Sequence, residues 1–312
     1  MTTRPRAVIV AGPTATGKSA LGLAIAERFN GVVVNADSIQ CYRDLSILTA
    51  RPTPAEEARA PHRLFGFLDP AEILSAAAWA ERAAVEIRVA HDAGQLPILV
   101  GGTGLYLLAL TEGLADIPPI PDDIRTETRT LMAGIGVSYL HRMLAERDPE
   151  TAARLSAHDS QRVARAWEVL EATGQSISWW QAQPKRAPVD ATYCSIVLLP
   201  PRDVLYAACD ARFTAMMGAG ALDQMRDLLA RGVTDAAPLM RALGARELAA
   251  HLLGASSLAA AVAAAQAATR HYAKRQNTWF KHQFHAQMTI QEQFSERLLQ
   301  EIFNKIGLFV LT

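Results

Sequence analysis

The sequence predicts an α/β fold, a P-loop NTPase-like core whose parallel sheet is flanked by helices, interrupted by an inserted all-helical domain. Three observations carry that expectation. The stretch Gly12, Pro13, Thr14, Ala15, Thr16, Gly17, Lys18, Ser19 has the spacing of a phosphate-binding loop. Apolar runs alternate with helical patterns around it, as in parallel strands joined by helices. Two proline-containing borders, at 117–121 and 184–188, bound a stretch that reads as almost wholly helical.

The first strand is Ala7-Val8-Ile9-Val10-Ala11, apolar throughout, as a strand covered on both faces must be. The helix that follows the loop spans 17–29 and puts Leu21, Ile25 and Phe29 on one face. A second buried strand, 32–37, carries Asp37 beyond the carboxyl ends of the strands, where such sheets place ligands. Segment 45–70 reads as irregular, 75–93 as a helix, and 96–103 as a third strand ending in Gly101, Gly102 and Thr103. Helical spacing over 122–132, 138–147 and 159–173 fills the inserted region, assigned to 119–189. Asp122 and Asp159 stand at its N-cap positions and Gly174 at a C-terminal cap. Residues 193–199 return to the sheet. Helices are expected over 203–217, 221–231, 242–251 and from about 258 towards His285. The core is thus assigned to 1–118 and 190–312, with nothing read beyond His285.

At 312 residues, half of them hydrophobic, the chain can bury a substantial core. A formal net charge of zero argues against wholesale coating of nucleic acid or an anionic membrane. That balance hides a local excess. Between 241 and 282, Arg241, Arg246, Arg270, Lys274, Arg275 and Lys281 face the single acid Glu247. Cys41, Cys194 and Cys209 form no C-x-x-C pair, so they read as buried free thiols, not as a disulfide or zinc framework. The start is too short and polar for a secretory signal, and the longest uncharged run, 252–269, is Ala-rich and interrupted. A soluble, cytoplasmic protein without a membrane span is expected.

Backbone N–H groups of a loop such as 12–19 point into one concavity at a helix N-terminus, where the dipole also favours negative charge. Lys18 adds positive charge, and Ser19 a hydroxyl for Mg2+. Such loops usually hold a nucleotide, in enzymes that end another strand with a Mg2+-binding Asp. Here the strand 96–103 ends in glycines and a threonine, and the acid stands at Asp37. The loop is therefore suited to a diphosphate that departs. Asp37 reads as a general base towards an amine, or as the cap of a polar turn. Gln40 offers the paired donor and acceptor of an adenine edge. Thr103 can donate to a leaving oxygen, and its glycines admit a close ligand or simply make a tight turn. Arg162 and Arg165 fit a solvated helix face. Lys274, Arg275, Gln276, Asn277, Thr278, Trp279, Phe280 and Lys281 interleave cations with aromatics, which suits RNA contact or amphipathic packing.

Seven stretches in order resemble the bacterial tRNA dimethylallyltransferase family, also called tRNA isopentenyl-diphosphate transferases. They are GPTATGKS at 12–19, NADSIQCY at 35–42, APHRL at 60–64, LVGGTGLY at 99–106, DSQRVARAWEV at 159–169, LMRALGARE at 239–247 and YAKRQNTWF at 272–280. The resemblance implies transfer of a dimethylallyl group from its diphosphate to the exocyclic amine of the adenosine 3′ of the anticodon. It implies Mg2+ as cofactor and the tRNA anticodon stem-loop as partner, gripped by the helical insertion. Asp37 then accepts the amine proton, and Thr103 and Arg241 steady the departing diphosphate, which loop 12–19 binds. The implied tRNA contacts are Asp37, Ser38, Ile39, Gln40, Thr103, Arg125, Gln161, Arg162, Val163, Ala164 and Arg165. Met240, Arg241, Ala242, Leu243, Gly244, Ala245 and the segment Lys274 to Lys281 complete them.

Three residues depart from the family pattern: Cys41 replaces an aliphatic residue, Leu48 a glycine, and Ala245 an aromatic. A monomer is expected. The alternatives are prenyl transfer to free AMP or ADP, a small-molecule kinase, and a non-catalytic RNA-binding module.

Overall fold

The computed structural model describes residues 4–311. Strand β1 (Arg6–Ala11) follows its apolar run, with five of six residues buried. Helix α1 (Lys18–Arg28) leaves the loop, and β2 (Gly31–Asn35) is buried throughout. The irregular segment holds a single-turn α2 (Pro54–Glu57), closed by a Thr53–Glu56 capping box, and a short β3 (His62–Arg63). Helix α3 (Ala76–Asp92) begins where the Ser75 hydroxyl accepts the Ala78 N–H at 3.1 Å. The fully buried β4 (Leu96–Gly101) leads through Thr103 into α4 (Gly104–Thr111), a helix that the spacing did not predict.

Two compact units emerge: the chain through Thr111 together with the chain from Pro188, and Glu112–Ala187. The second unit contains α5 (Asp122–Ile135), α6 (Val137–Arg147), α7 (Pro149–Arg154), α8 (Ser160–Thr173) and α9 (Ile177–Ala182). Leu140, Leu144, Ala152, Val163, Ala166, Trp167 and Leu170 form its own core. It takes in 112–118, ahead of the proline border, because its two connecting segments pack together there. A Cβ on Gly113 would lie 2.3 Å from the Arg186 carbonyl oxygen. Asp159 caps α8 by accepting the Arg162 N–H, and Gly174 closes it at φ +68°. Asp122 is the first residue of α5 and not its cap, which is Pro121.

The first unit resumes with β5 (Thr192–Leu198), α10 (Arg202–Gly218), α11 (Ala221–Ala230), a 3-10 turn at Pro238–Arg241, α12 (Ala245–Leu252) and α13 (Leu258–Gln283). Helix α12 starts later than its spacing suggests because Gly244, at φ +86°, is its cap. Beyond His285 the chain adds β6 (Met288–Ile290) and α14 (Leu299–Leu311). Ile302 and Ile306 of α14 join Leu21 and Ile25 of α1 and Val8 and Ile98 of the sheet in one core. Cys41, Cys194 and Cys209 are buried and free.

The six strands lie in the order β3-β2-β4-β1-β5-β6, and every pairing is parallel. Register decides what this sheet can do. Ala11 pairs with Gly101, and Asn35 with Val100, so β1, β2 and β4 end level with one another. The phosphate-type loop, Asp37 and Thr103 therefore emerge together on the carboxyl edge, the ligand edge of open α/β sheets. Trp79 of α3 packs beneath them with no exposed surface, stacked on Tyr106 of α4 at 4.5 Å.

Candidate active site

Loop 12–19 turns between β1 and α1 with Gly12 at φ +144°, Ala15 at +64° and Gly17 at +86°. Gly17 caps α1 with no side-chain acceptor, which leaves the first-turn N–H groups for an anion. Thr16 Oγ1 and Lys18 Nζ each donate to the Pro13 carbonyl at 3.0 Å. Three distant segments hold the loop from outside. Arg212 of α10 donates to Thr14 Oγ1. Gln276 of α13 accepts the Thr14 N–H at 2.8 Å. After β6, Gln293 donates to the Ala15 carbonyl at 2.8 Å, and the Phe294 N–H to the Thr16 carbonyl at 3.1 Å.

Lys18, Ser19, Arg212 and Gln293 line a cavity of about 740 Å³ whose far wall is segment 46–56. Burial lowers the Lys18 pKa to about 8; Asp37 acts against that shift, and Arg212 adds to it. Arg212 is likewise held below its usual value, chiefly by burial. Two cations enclosed at a helix N-terminus form a site that an incoming polyanion would relieve.

Asp37 follows β2 after the single residue Ala36. Buried Asn35 holds it from behind: Asn35 Oδ1 accepts the Asp37 N–H at 2.8 Å, and Nδ2 donates to the carbonyls of Asp37 and Leu64 at 2.9 Å. Trp79 Nε1 donates to the Asn35 carbonyl at 2.9 Å and fixes the strand end. The Asp37 carboxylate accepts the Ile39 N–H at 3.0 Å. It also acts electrostatically on Lys18, on Arg212 and on the Tyr106 phenol. Its neighbours Ser38 and Ile39 line a separate cavity of about 620 Å³, with Tyr42, Tyr106, Arg241 and the loops around 70 and 235.

Thr103 docks on the Asp37 turn. Its Oγ1 accepts the Ser38 N–H at 3.0 Å, and its own N–H donates to the Ala36 carbonyl at 3.2 Å. The neighbouring glycines admit protein atoms: a Cβ on Gly102 would lie 2.3 Å from Gln276 Nε2, and one on Gly104 2.3 Å from the Trp279 ring. Their freedom serves the docking of α13.

The remaining predicted residues divide by environment. Gln40 donates through Nε2 to the carbonyls of Thr49 and Ala50, at 3.0 and 3.2 Å, and so holds its own loop. Arg241 is exposed and lines the cavity with Ser38, whereas Met240, Ala242, Gly244 and Ala245 are buried and Leu243 is half-buried. On α13, Lys274, Arg275, Thr278 and Lys281 are exposed, Asn277 and Trp279 half-buried, and Gln276 and Phe280 buried. In the helical unit, Gln161 and Arg162 are exposed, Val163 is buried, and Ala164 and Arg165 are half-buried. Arg125, Arg162 and Arg165 pair with Asp122, Asp159 and Glu168, at 3.6, 3.5 and 3.9 Å. The exposed pairs of Arg125 and Arg162 are weak and readily exchanged for phosphate, whereas the Arg165–Glu168 pair is partly covered.

Arg212, Gln293, Asn35 and Trp79 were not among the residues expected from the sequence. Arg212 left only a faint trace there: it lies beside Phe213 of the buried 205, 209, 213, 216 spacing of α10, half-buried at the edge of that face. Gln293 left none, because its role depends on a strand that the pattern does not reveal.

A phosphate-type loop on a parallel sheet, flanked at the same edge by a carboxylate and a hydroxyl, defines an α/β protein of the P-loop class. The IPP transferase family model matches residues 40–283, and the chain belongs to that family. The tRNA dimethylallyltransferase of Paramagnetospirillum magneticum is 54% identical over 306 residues, covering 98% of this chain and 97% of its own. That of Rhodospirillum centenum is 55% identical over 285 residues, covering 91% and 90%. The crystal structure of full-length tRNA isopentenylpyrophosphate transferase from Bacillus halodurans superposes with a TM-score of 0.71 at 32% identity, over 98% of this chain and 96% of that one. A eukaryotic dimethylallyltransferase described as acting on tRNA gives a TM-score of 0.76 at 25% identity, over 88% and 70%. No helix among the described residues is long and apolar enough to cross a membrane.

Proposed function

We propose that this protein transfers a dimethylallyl group from dimethylallyl diphosphate to the exocyclic amine of the adenosine 3′ of the tRNA anticodon. One observation carries the reading: Asp37 acts electrostatically on the cations Lys18 and Arg212, and the residues that follow it, Ser38 and Ile39, line the cavity of Tyr106 and Arg241. A leaving diphosphate belongs with the cations, and a base to be alkylated belongs in the cavity.

The chemistry follows from that placement. The loop N–H groups, Lys18 and Arg212 bind the diphosphate and take up the charge that grows on it. The target base leaves its stack to reach the cavity, at a cost of a few kcal/mol that is least in a loop. Its amine nitrogen forms a bond to the allylic carbon while the carbon–oxygen bond breaks, and the electron pair leaves with the diphosphate. Asp37 accepts the amine proton. The Thr103 hydroxyl donates towards the departing oxygen. Arg241 lines the cavity given to the base, a position that supports a role on the RNA side.

Mg2+ is commonly held by substrate phosphates, water and few protein ligands. Ser19, exposed beside Lys18, would hold it, and when bound it would neutralise charge on the diphosphate. The exposed face of α13 and the arginines of the helical unit would grip the stem-loop by its phosphates.

Labelled dimethylallyl diphosphate, incubated with an anticodon stem-loop RNA, tests the reading. Label is expected in the RNA with release of diphosphate. Label in AMP or ADP but not in RNA would transfer the activity to free nucleotides, and stoichiometric consumption of ATP would indicate a kinase.

A further inference from the structure

We infer that Gln276 is a positioning residue that sets the separation between the diphosphate loop and the strand end carrying Thr103. The inference rests on the transfer proposed above. Gln276 lies on α13 and is 6% exposed. Its Oε1 accepts the Thr14 N–H at 2.8 Å, and its Nε2 donates to the Gly102 carbonyl at 2.8 Å. One amide thus joins three elements: the loop after β1, the turn after β4, and α13. Both ends of that amide are committed to the backbone.

Two independent features show that the arrangement is built for this tie. Gly102 has no room for a Cβ because Gln276 Nε2 would lie 2.3 Å away. The exposed residues Lys274, Arg275, Thr278 and Lys281 share the helix with Gln276, but it alone among the polar residues of that segment is buried. The tie has a consequence for each reactant. The Thr14 N–H, engaged by Gln276, does not face the phosphates, so the side chain selects which loop N–H groups do. The residue after Gly102 is Thr103, whose Oγ1 holds the Ser38 N–H at 3.0 Å beside Asp37. A chain of hydrogen bonds therefore runs from the leaving-group loop through Gln276 to the turn that carries the base. Transfer needs leaving oxygen, allylic carbon and amine in line, and a displacement of about 1 Å can cost on the order of a hundredfold in rate.

The test compares Gln276→Met, which keeps length and removes both hydrogen bonds, with Gly102→Ala, which pushes the amide away from the other side. Three quantities are read: kcat for RNA prenylation, affinity for inorganic pyrophosphate by calorimetry without RNA, and affinity for the stem-loop RNA. In both variants kcat is expected to fall by about tenfold or more. Pyrophosphate affinity should fall by about fivefold, the size of one lost hydrogen bond, with RNA affinity unchanged. A loss confined to RNA affinity would make Gln276 an RNA contact and overturn the inference. So would unchanged kcat and pyrophosphate affinity in either variant. If Gln276→Met fails to fold, Gln276→Glu, which keeps the acceptor for the Thr14 N–H and loses the donor to the Gly102 carbonyl, takes its place beside Gly102→Ala, whose Cβ would also meet the Gly12 carbonyl oxygen at 3.1 Å. Failure of the proposed function itself would show as a parent enzyme that does not prenylate RNA. The pyrophosphate measurement would still report on the tie.

Discussion

Thr103 Oγ1 accepts the Ser38 N–H at 3.0 Å and lies 3.4 Å from Ser38 Oγ, so the turn after β4 is fastened to the residue that follows Asp37. Thr103→Ser keeps that acceptor and should retain most of the turnover. Thr103→Val removes it at nearly constant volume and leaves the Ser38 N–H unpaired, a loss of about 1–3 kcal/mol. Its kcat should fall roughly tenfold or more, with RNA affinity unchanged. Equal activity of the serine and valine variants in a saturating assay would show that the hydroxyl does not take part.

Arg212 and Arg241 line different cavities, although the resemblance implies that Arg241, with Thr103, steadies the diphosphate. Arg212 touches Thr14 and lines the Lys18 cavity, whereas Arg241 lines the cavity of Ser38 and Tyr106. Arg212→Ala should raise KM for dimethylallyl diphosphate by about tenfold to a hundredfold, the range of a hydrogen bond to a charged group. Arg241→Ala should act mainly on the RNA substrate. Inorganic pyrophosphate titrations of both variants decide the matter, and a larger loss for Arg241→Ala would reverse the assignment.

Lys18 makes diphosphate binding depend on pH in a defined direction. In the free enzyme burial holds its pKa at about 8. A bound diphosphate favours the ammonium and raises that value, so binding at pH 8.5 should take up a proton, and affinity should weaken as pH climbs above 8. The last ionisation of a phosphate ester lies near 6, so dimethylallyl diphosphate, used as the titrant, contributes little there. Calorimetry in buffers of different ionisation enthalpy measures the uptake, and Lys18→Arg should abolish it. Proton release at pH 8.5 would contradict the assignment. The same depression has a stability sign. Between about 8 and 10.5 the unfolded chain holds the proton that folded Lys18 has lost, so the contribution of Lys18 to stability rises with pH across that window.

The sequence displayed the site where chemistry and local pattern coincide. Loop 12–19 declares itself by spacing, and Asp37 and Thr103 by following apolar runs whose register the sheet then levels. It was silent where a role depends on distant packing. Arg212 reaches Thr14 across 198 positions, and Gln293 reaches Ala15 across 278, separations that no local period encodes. Gln276 stood inside a basic, aromatic segment and was grouped with its exposed neighbours. Only the fold distinguishes the buried face of α13 from the basic one. The glycines at 102 and 104 fit either a ligand or a helix, and the structure brings a helix.

The segment beyond His285 shows how such silence can conceal structure that the site depends on. Strand β6 is short, and its pattern is too brief to read, yet it pairs with β5 and leads to Gln293 and Phe294 on the loop. Helix α14 then seals the face of the sheet through Ile302 and Ile306, neither of them exposed. Ile302→Ala should therefore lower stability by about 2–5 kcal/mol, the cost of a cavity in a packed core. Helix α14 makes none of the loop contacts described, so the folded fraction should keep its kcat. Urea unfolding combined with an active-site titration separates the two effects. An unchanged midpoint would remove α14 from the core, and a lower kcat per folded molecule would show that it also shapes the diphosphate loop.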